Sequence, residues 1–196
     1  MMRTAEINRY TRLNELAEPN GIVIFGGDAD KYIPVGELRQ AFEINTKIYN
    51  RSFENLSVSD AASVYDNCVS PLMPETVLIH LGDADRLMFA ENAAGFDCAY
   101  CNLIRHIRTA NAKTRIVVVS LRNPEHDAQI EEMNKHLKYI AESERCEYGD
   151  IAQKKLWNPK ATKDAVAFVY SIGFIHPLKN KRPLYDLIRI LFCCEA

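Results

Sequence analysis

The sequence lacks any apolar stretch that approaches the roughly 20 residues needed to cross a membrane. It also lacks a strong excess of either charge, since 24 Lys and Arg against 26 Asp and Glu leave a net charge of -2. Without a basic surplus there is no electrostatic reason to expect nucleic acid or an anionic membrane as a partner. The polar N-terminal region contains no apolar core typical of a signal peptide. We therefore expect a cytoplasmic protein that binds neither membranes nor nucleic acids.

The sequence also lacks a second CxxC motif. The chain has 6 cysteines but only one CxxC motif, Cys98–Cys101, so the spacing of a zinc ribbon is not present. The motif lies in a segment with helical periodicity, where thiols at positions i and i+3 share one face and more often pack than bind a ligand. In a reducing compartment we expect free thiols.

What the sequence does contain is a series of short apolar runs separated by segments with helical periodicity. The runs cover residues 21–26, 46–50, 76–81 and 115–120, with a weaker one at 146–151. Continuous apolar runs are typical of parallel strands that are covered on both faces. The alternation predicts a doubly wound α/β domain, a three-layer α/β/α sandwich of flavodoxin-like type with a five-stranded parallel sheet. We expect one domain over residues 1–196, with a leading helix within residues 1–18.

The tetrapeptide Gly-Asp-Ala-Asp occurs twice, at residues 27–30 and 82–85, each time directly after a predicted strand. In doubly wound sheets, ligands bind outside the carboxyl ends of the strands, at the switch point. Both copies should therefore approach each other at the functional edge of the sheet. The acids that this brings together are Asp28, Asp30, Asp83 and Asp85.

Five segments, in order, resemble the sequence blocks of the SGNH/GDSL hydrolases, a superfamily of esterases, lipases and acylhydrolases. They are IVIFGGDAD, IYNRSFENLSVSD, PETVLIHLGDADRL, EEMNKHLKYIAESERCEYGDI and GFIHPLKNKRPLYDLI. The resemblance covers nearly the whole chain, roughly residues 9–192. The first resembles the Gly-Asp-Ser nucleophile block, and the last resembles Asp-x-x-His-Pro. The resemblance implies an SGNH-type fold and a small-molecule ligand that bears an ester or acyl group. It names no protein partner.

The resemblance also assigns the chemical positions, and most of them carry a different residue here. Ala29 stands at the nucleophile position, and Asn55 stands at the glycine that lends a backbone N–H to the oxyanion hole. Ala84 stands at the oxyanion asparagine, and Gly173 stands at the triad aspartate. The histidine is retained as His176. Without a serine the standard acyl-enzyme cannot form, and the loss of one oxyanion donor alone costs on the order of 10²–10³ in rate.

The four strand-end acids have more than one interpretation. Asp28 and Asp85 match acids that the family also carries, and these bind turn amides. Carboxylates at such places are stabilised by free N–H groups and helix dipoles. Asp30 and Asp83 could instead add charge for a Mg²⁺ or Ca²⁺ site formed by all four acids, or simply face solvent.

Other polar residues near these blocks have alternative roles. His176 is either a binding residue or a structural histidine, because Gly173 removes its expected orienting partner. His80 lies inside a predicted strand and is interpreted as a satisfied core histidine. Asn50 and Arg51 are candidates to bind polar groups at the cleft edge, and Ser52 is a weaker candidate for a replacement nucleophile.

Three hypotheses remain open from the sequence. The first is a pseudoenzyme that keeps the pocket as a ligand-binding or regulatory module. The alternative is a divergent esterase or acylhydrolase that uses His176 with aspartates or a metal-activated water. The third is a purely structural or partner-binding domain. Whether the chain is an enzyme is therefore left to the site geometry and to experiment.

Overall fold

The computed structural model describes residues 2–41, 44–123 and 125–152 of the 196-residue chain. Within these ranges helices and parallel strands largely alternate, as the sequence predicts. In chain order they are α1 (Met2–Asn14), β1 (Ile22–Gly26), α2 (Val35–Ala41), β2 (Ile48–Asn50), α3 (Val58–Cys68), β3 (Thr76–His80), α4 (Arg86–Glu91), α5 (Ala93–Ala110), β4 (Arg115–Val119), α6 (Ala128–Ser143) and β5 (Glu147–Gly149). Short 3-10 turns lie at Ser70–Leu72 and Asp83–Asp85.

The five strands form one sheet in the order β2-β1-β3-β4-β5, and every neighbouring pair is parallel. This confirms the predicted five-stranded parallel sheet and all five predicted strands, each within three residues of its expected ends. The strand order reverses direction at β1, which lies between β2 and β3. In folds of this type the ligand crevice lies at that point, beyond the carboxyl ends of the strands.

Both faces of the sheet are covered, which gives the three-layer arrangement. All five residues of β1 and all five of β3 are buried, because successive side chains point to opposite faces and both faces are packed. One core joins the sheet to α3, α5 and α6. Its strand residues are Val23, Phe25, Val77, Ile79, Ile116 and Val118. The second core, on the opposite face, packs strand residues against the α2 region. Its members include Ile24, Leu78, Val117, Ile33 and Leu38.

The two long helices turn their apolar stripes to the sheet as their periodicity predicts. The buried stripe of α5 consists of Phe96, Tyr100, Leu103, Ile104 and Ile107, and that of α6 includes Met133, Leu137 and Ile140. Cys98 and Cys101 lie on α5 as free thiols, with Cys98 exposed. No helix of the described ranges combines the length and the apolar character needed to cross a bilayer.

Ser57, a residue type preferred at helix N-caps, is the N-cap of α3. Ser57 has extended backbone angles, and its hydroxyl oxygen accepts a hydrogen bond from the Asp60 N–H. Two short helices, α2 and α4, were not predicted, because six or seven residues give too little periodicity to identify. The predicted last helix at 184–192 lies outside the described residues.

The N-cap gives a direct test of this part of the fold. Ser57→Ala should lower the free energy of unfolding by about 1 kcal/mol, because the Asp60 N–H loses its acceptor. Urea denaturation followed by circular dichroism measures this. The matched control is Ser63→Ala, an exposed serine of the same helix, which should change stability by less than about 0.5 kcal/mol. Equal effects of the two substitutions would contradict the cap.

Candidate functional site at the carboxyl edge of the sheet

Three predicted site segments follow adjacent strands and meet at one edge of the sheet. They are residues 27–30 after β1, 50–55 at the end of β2, and 82–85 after β3. Backbone hydrogen bonds join them: the Gly27 N–H donates to the His80 carbonyl at 3.2 Å, and the Phe53 N–H donates to the Gly26 carbonyl at 3.0 Å. The two Gly-Asp-Ala-Asp copies are therefore strand-end turns of the same edge.

The two turns carry Ala29 and Ala84 at the positions that the family resemblance assigns to the nucleophile and to an oxyanion donor. Ala29 is half-buried and Ala84 is exposed. A methyl group can neither attack a carbonyl carbon nor donate a hydrogen bond to an oxyanion. Gly173 and His176, the other two assigned positions of the triad, lie outside the described residues.

Asn55 keeps the backbone shape of the glycine that it is predicted to replace. Its φ is +49°, in the left-handed region, where glycine is preferred and asparagine is tolerated better than most residues. Its backbone N–H donates to Asp28 Oδ2 at 3.1 Å. This donor is therefore already engaged with a carboxylate of the neighbouring turn. Asp28 itself is exposed.

Asp85 has the turn-binding role proposed for it. Both of its carboxylate oxygens accept from the Val58 N–H, at 3.2 and 3.1 Å, and the side chain lies at the start of α3, where the helix dipole favours negative charge. Burial raises the pKa of Asp85 to about 6, against the opposing effect of the Val58 hydrogen bond. Asp83, two residues earlier, is exposed.

Asp30 forms a different contact from the one expected. It is fully buried, and both carboxylate oxygens lie against Nδ1 of His80, at 2.9 and 2.8 Å. His80 is 3% exposed, so the pair is enclosed. Gly26 makes room for it, because a Cβ atom at that position would lie 1.8 Å from Asp30 Oδ2. The sequence predicts burial of His80 correctly but does not identify its partner.

The pKa values of both Asp30 and His80 are raised, so the pair holds its proton more tightly than the isolated groups would. Burial raises the pKa of Asp30 above its ordinary value, although the attraction of His80 opposes the shift. Burial alone would lower the pKa of His80, but the charge of Asp30 and the hydrogen bond between them outweigh it and raise the pKa. The nearby Asp83 raises both pKa values further. Since the two groups are coupled, the proton belongs to the pair.

Arg51 and Asn50 both form hydrogen bonds within the fold. The Arg51 guanidinium donates to Asn14 Oδ1 of α1 from Nη2 at 2.7 Å and from Nε at 3.1 Å, and the residue is 5% exposed. Asn50 donates from Nδ2 to the Asp30 carbonyl at 2.7 Å and accepts from the Ser52 N–H at 3.1 Å. The Arg51 side chain is therefore buried against α1.

Ser52 has no feature of an activated nucleophile. Its side chain is fully buried, and within the described residues its hydroxyl has no hydrogen-bond partner that could act as a base. Its carbonyl accepts from the Tyr10 hydroxyl at 3.2 Å. The residue contributes to the docking of α1.

A cation site at this edge would need several carboxylates to converge. Instead Asp28 faces Asn55, Asp30 faces His80 and Asp85 faces Val58. In the ranges that the structure describes, no group of three or more His, Cys, Asp or Glu residues is arranged to hold a metal ion. The observed placement therefore gives the cation alternative no support here.

The Asp30–His80 pair is the part of the site that sequence reasoning missed. Its members are 50 positions apart, and pairing them requires the register in which Gly26 lies opposite His80. A weak signal was present, namely a histidine inside an apolar strand and a charged residue directly after a strand-end turn. Such a histidine usually has a buried polar partner.

The topology and the strand-end site define a class: the chain has the fold of the SGNH/GDSL hydrolases. No protein-family model matches the sequence, and no curated protein matches it either. Solved structures do. A Streptococcus pneumonia protein provisionally assigned as a platelet activating factor is 16% identical with a TM-score of 0.65, over 80% of this chain and 78% of that one.

Two further solved structures are similar in the same way. A GDSL-like lipase from Bacteroides thetaiotaomicron is 20% identical with a TM-score of 0.55, and the match covers 85% of this chain and 92% of that one. A catalytic mutant of an acetylxylan esterase from Geobacillus stearothermophilus is 14% identical with a TM-score of 0.56, over 84% and 97% of the two chains. At these identities the likeness establishes the fold alone, and any activity has to be argued from the residues of the site.

The buried pair predicts a specific double-mutant cycle. His80→Leu alone should lower the free energy of unfolding at pH 7 by about 3–5 kcal/mol, because it leaves the Asp30 carboxylate buried with no partner charge. Asp30→Leu/His80→Leu should recover most of this loss, since an apolar pair of similar size removes the desolvation cost. Chemical denaturation measures both variants.

The control for this cycle is the more exposed His106–Asp66 pair, whose side chains approach to 2.7 Å. Because solvent screens that pair, His106→Leu should cost less than about 1 kcal/mol. If the double variant were as unstable as His80→Leu, the charge of Asp30 would not be the source of the instability.

Proposed function

We propose that this chain is a GDSL-like protein without serine esterase chemistry, which uses the edge after β1, β2 and β3 to bind a small molecule. The observation that carries the proposal is Ala29 at the centre of the first strand-end turn. The family resemblance assigns the nucleophile to this position, and a methyl group there gives the standard acyl-enzyme no atom on which to form.

The loss extends to the groups that would stabilise an oxyanion. Ala84 offers no amide, and the Asn55 N–H is engaged by Asp28. Asp83, an acid to which the resemblance assigns no turn-binding role, is exposed in the second turn, so a negative charge that develops beside it would meet a carboxylate. Electrostatic stabilisation of the oxyanion is commonly the largest catalytic contribution, so the absence of a side-chain amide at Ala84 argues against esterase activity.

The proposed ligand follows from the fold neighbours. Among them are an acetylxylan esterase and a GDSL-like lipase, whose names describe ester-bearing substrates. A protein that evolved from such an esterase could keep the binding site. It would then bind an ester or acyl compound without cleaving it and act as a sensor or regulatory module. The alternative is residual hydrolysis through His176 with an aspartate or a metal-activated water, and the first assay below separates the two.

Hydrolysis of p-nitrophenyl acetate is the first test. The wild-type protein should show no rate above that of His176→Ala, with divalent cations added or with chelator present, because a lone histidine lacks a nucleophile to activate. Ala29→Ser should stay inactive as well, since Asn55, Ala84 and Gly173 leave the serine without its oxyanion donors and orienting acid. A wild-type rate that His176→Ala or chelation abolishes would establish the alternative.

Ligand binding is tested separately by thermal shift. Acetylated xylo-oligosaccharides and short-chain acyl esters are the probes, and a ligand at 100 times its Kd should stabilise the protein by about 2.7 kcal/mol. Ala84→Trp, at an exposed position of the second turn, should remove the shift by filling the cleft. Tyr139→Trp, exposed on α6, is the matched control and should keep it. A shift unchanged by Ala84→Trp would place binding elsewhere.

A further inference from the structure

Asp30 connects the first strand-end turn to both neighbouring strands. Its carboxylate contacts His80 at the end of β3, and its carbonyl accepts from Asn50 Nδ2 at the end of β2 at 2.7 Å. Within the turn, the Asp30 N–H donates to the Gly27 carbonyl at 3.2 Å, and the Ile33 N–H donates to the Asp30 carbonyl at 3.0 Å. The conformation of residues 27–33 therefore depends on where Asp30 is held.

Within the part of the chain that the structure describes, His80 is the group that can supply a positive charge beside the Asp30 carboxylate. Lys31, the next residue, is engaged by Glu6 at 2.5 Å and Glu54 at 2.8 Å. From the turn after β3, Asp83 adds negative charge to the environment of the pair.

Within the described residues, another polar contact of the pair comes from the segment that follows β4. Backbone of Ser120, directly after β4, lies within hydrogen-bonding range of His80. The Ser120 hydroxyl donates to Asp150 Oδ1 at 3.3 Å, just beyond β5. Neither group supplies a positive charge, so the balance of charge at Asp30 depends on the proton that it shares with His80.

We propose that the Asp30–His80 pair is a proton-dependent latch that holds the 27–33 turn closed while it keeps its proton and releases the turn when the proton is lost. After deprotonation the carboxylate is still fully buried, but the imidazole beside it is neutral and Asp83 repels it. A buried charge without compensation is costly. Opening of the turn hydrates Asp30 and removes that cost.

The direction of the pH effect follows from linkage. In the open turn His80 is hydrated and titrates near its ordinary value of about 6.5, whereas in the closed turn its pKa is raised. Between these two values closing takes up one proton, so the opening constant rises with pH by up to about tenfold per pH unit. Below pH 6.5 the histidine is protonated in both states, and the opening constant becomes insensitive to its titration.

This latch does not depend on the proposed function, because it concerns the turn and not the chemistry at Ala29. It adds a consequence for any ligand that contacts the closed turn. Such a ligand should bind more weakly as the pH rises above neutrality, since part of the protein is then in the open state.

Amide hydrogen exchange measured by NMR between pH 6 and 8.5 tests the latch, with rates corrected for intrinsic chemical exchange. The reporters are the amides of Gly27, Asp30 and Ile33. Their opening constants should rise by up to about tenfold per pH unit in the wild type and stay flat in Asp30→Leu/His80→Leu. The core amide of Val118 and the variant His106→Asn are controls, expected to leave the slope of the turn unchanged.

A second measurement keeps the test decisive if the double variant does not fold. Ring resonances of His80 in the wild-type protein should titrate with a midpoint above 6.5, and the turn should open over the same pH range. A midpoint at or below 6.5 would overturn the proposal. So would wild-type opening constants that stay flat across the His80 titration, or a double variant with the wild-type slope.

Discussion

A carboxylate with no access to water must find a compensating charge, and in this protein that requirement joins two strands of the sheet. Asp30 is fully buried against His80, with contacts of 2.8 and 2.9 Å. The contact is possible only because Gly26, opposite His80 in the register, has no side chain. An ionised Asp30 without His80 would be a buried charge with a cost of several kcal/mol. The position of the first strand-end turn, and of Ala29 within it, depends on this pair.

The opposite side of the edge is fixed by the N-terminal helix. Arg51 binds Asn14 through two nitrogens and lies 4.9 Å above the ring of Tyr10, a cation–π geometry. Lys31 links Glu6 of α1 to Glu54 at the edge itself. Polar side chains that look available in the sequence are thus used to dock α1. Ala29 and the exposed Asp28, Asp83 and Ala84 remain at the edge.

Much of the fold could be predicted from the sequence, because burial on both faces gives continuous apolar strands and amphipathic helices leave a 3.6-residue stripe. For the candidate site, some contacts could be predicted from the sequence and others could not. The turn roles of Asp28 and Asp85 could be anticipated, since short-range geometry at strand ends determines them. The partner of His80 could not, because it depends on the register between strands, and the left-handed Asn55 is visible only once its φ of +49° is known. The burial of Arg51 could not be predicted either, because it depends on where α1 packs, and the residues around Arg51 do not indicate that.

The electrostatics at the edge connect these features. An esterase edge must become more favourable to negative charge as the oxyanion forms, through donors held at hydrogen-bonding distance. Here Asp28 uses the Asn55 N–H, and Asp83 stands exposed in the second turn. The Asp30–His80 pair is close to neutral while it holds its proton and becomes negative when the proton leaves. Asp83 and the deprotonated pair would each disfavour an oxyanion near Ala29, and neither hinders a neutral ester or acyl group. The same charges that weaken the case for catalysis are therefore compatible with binding.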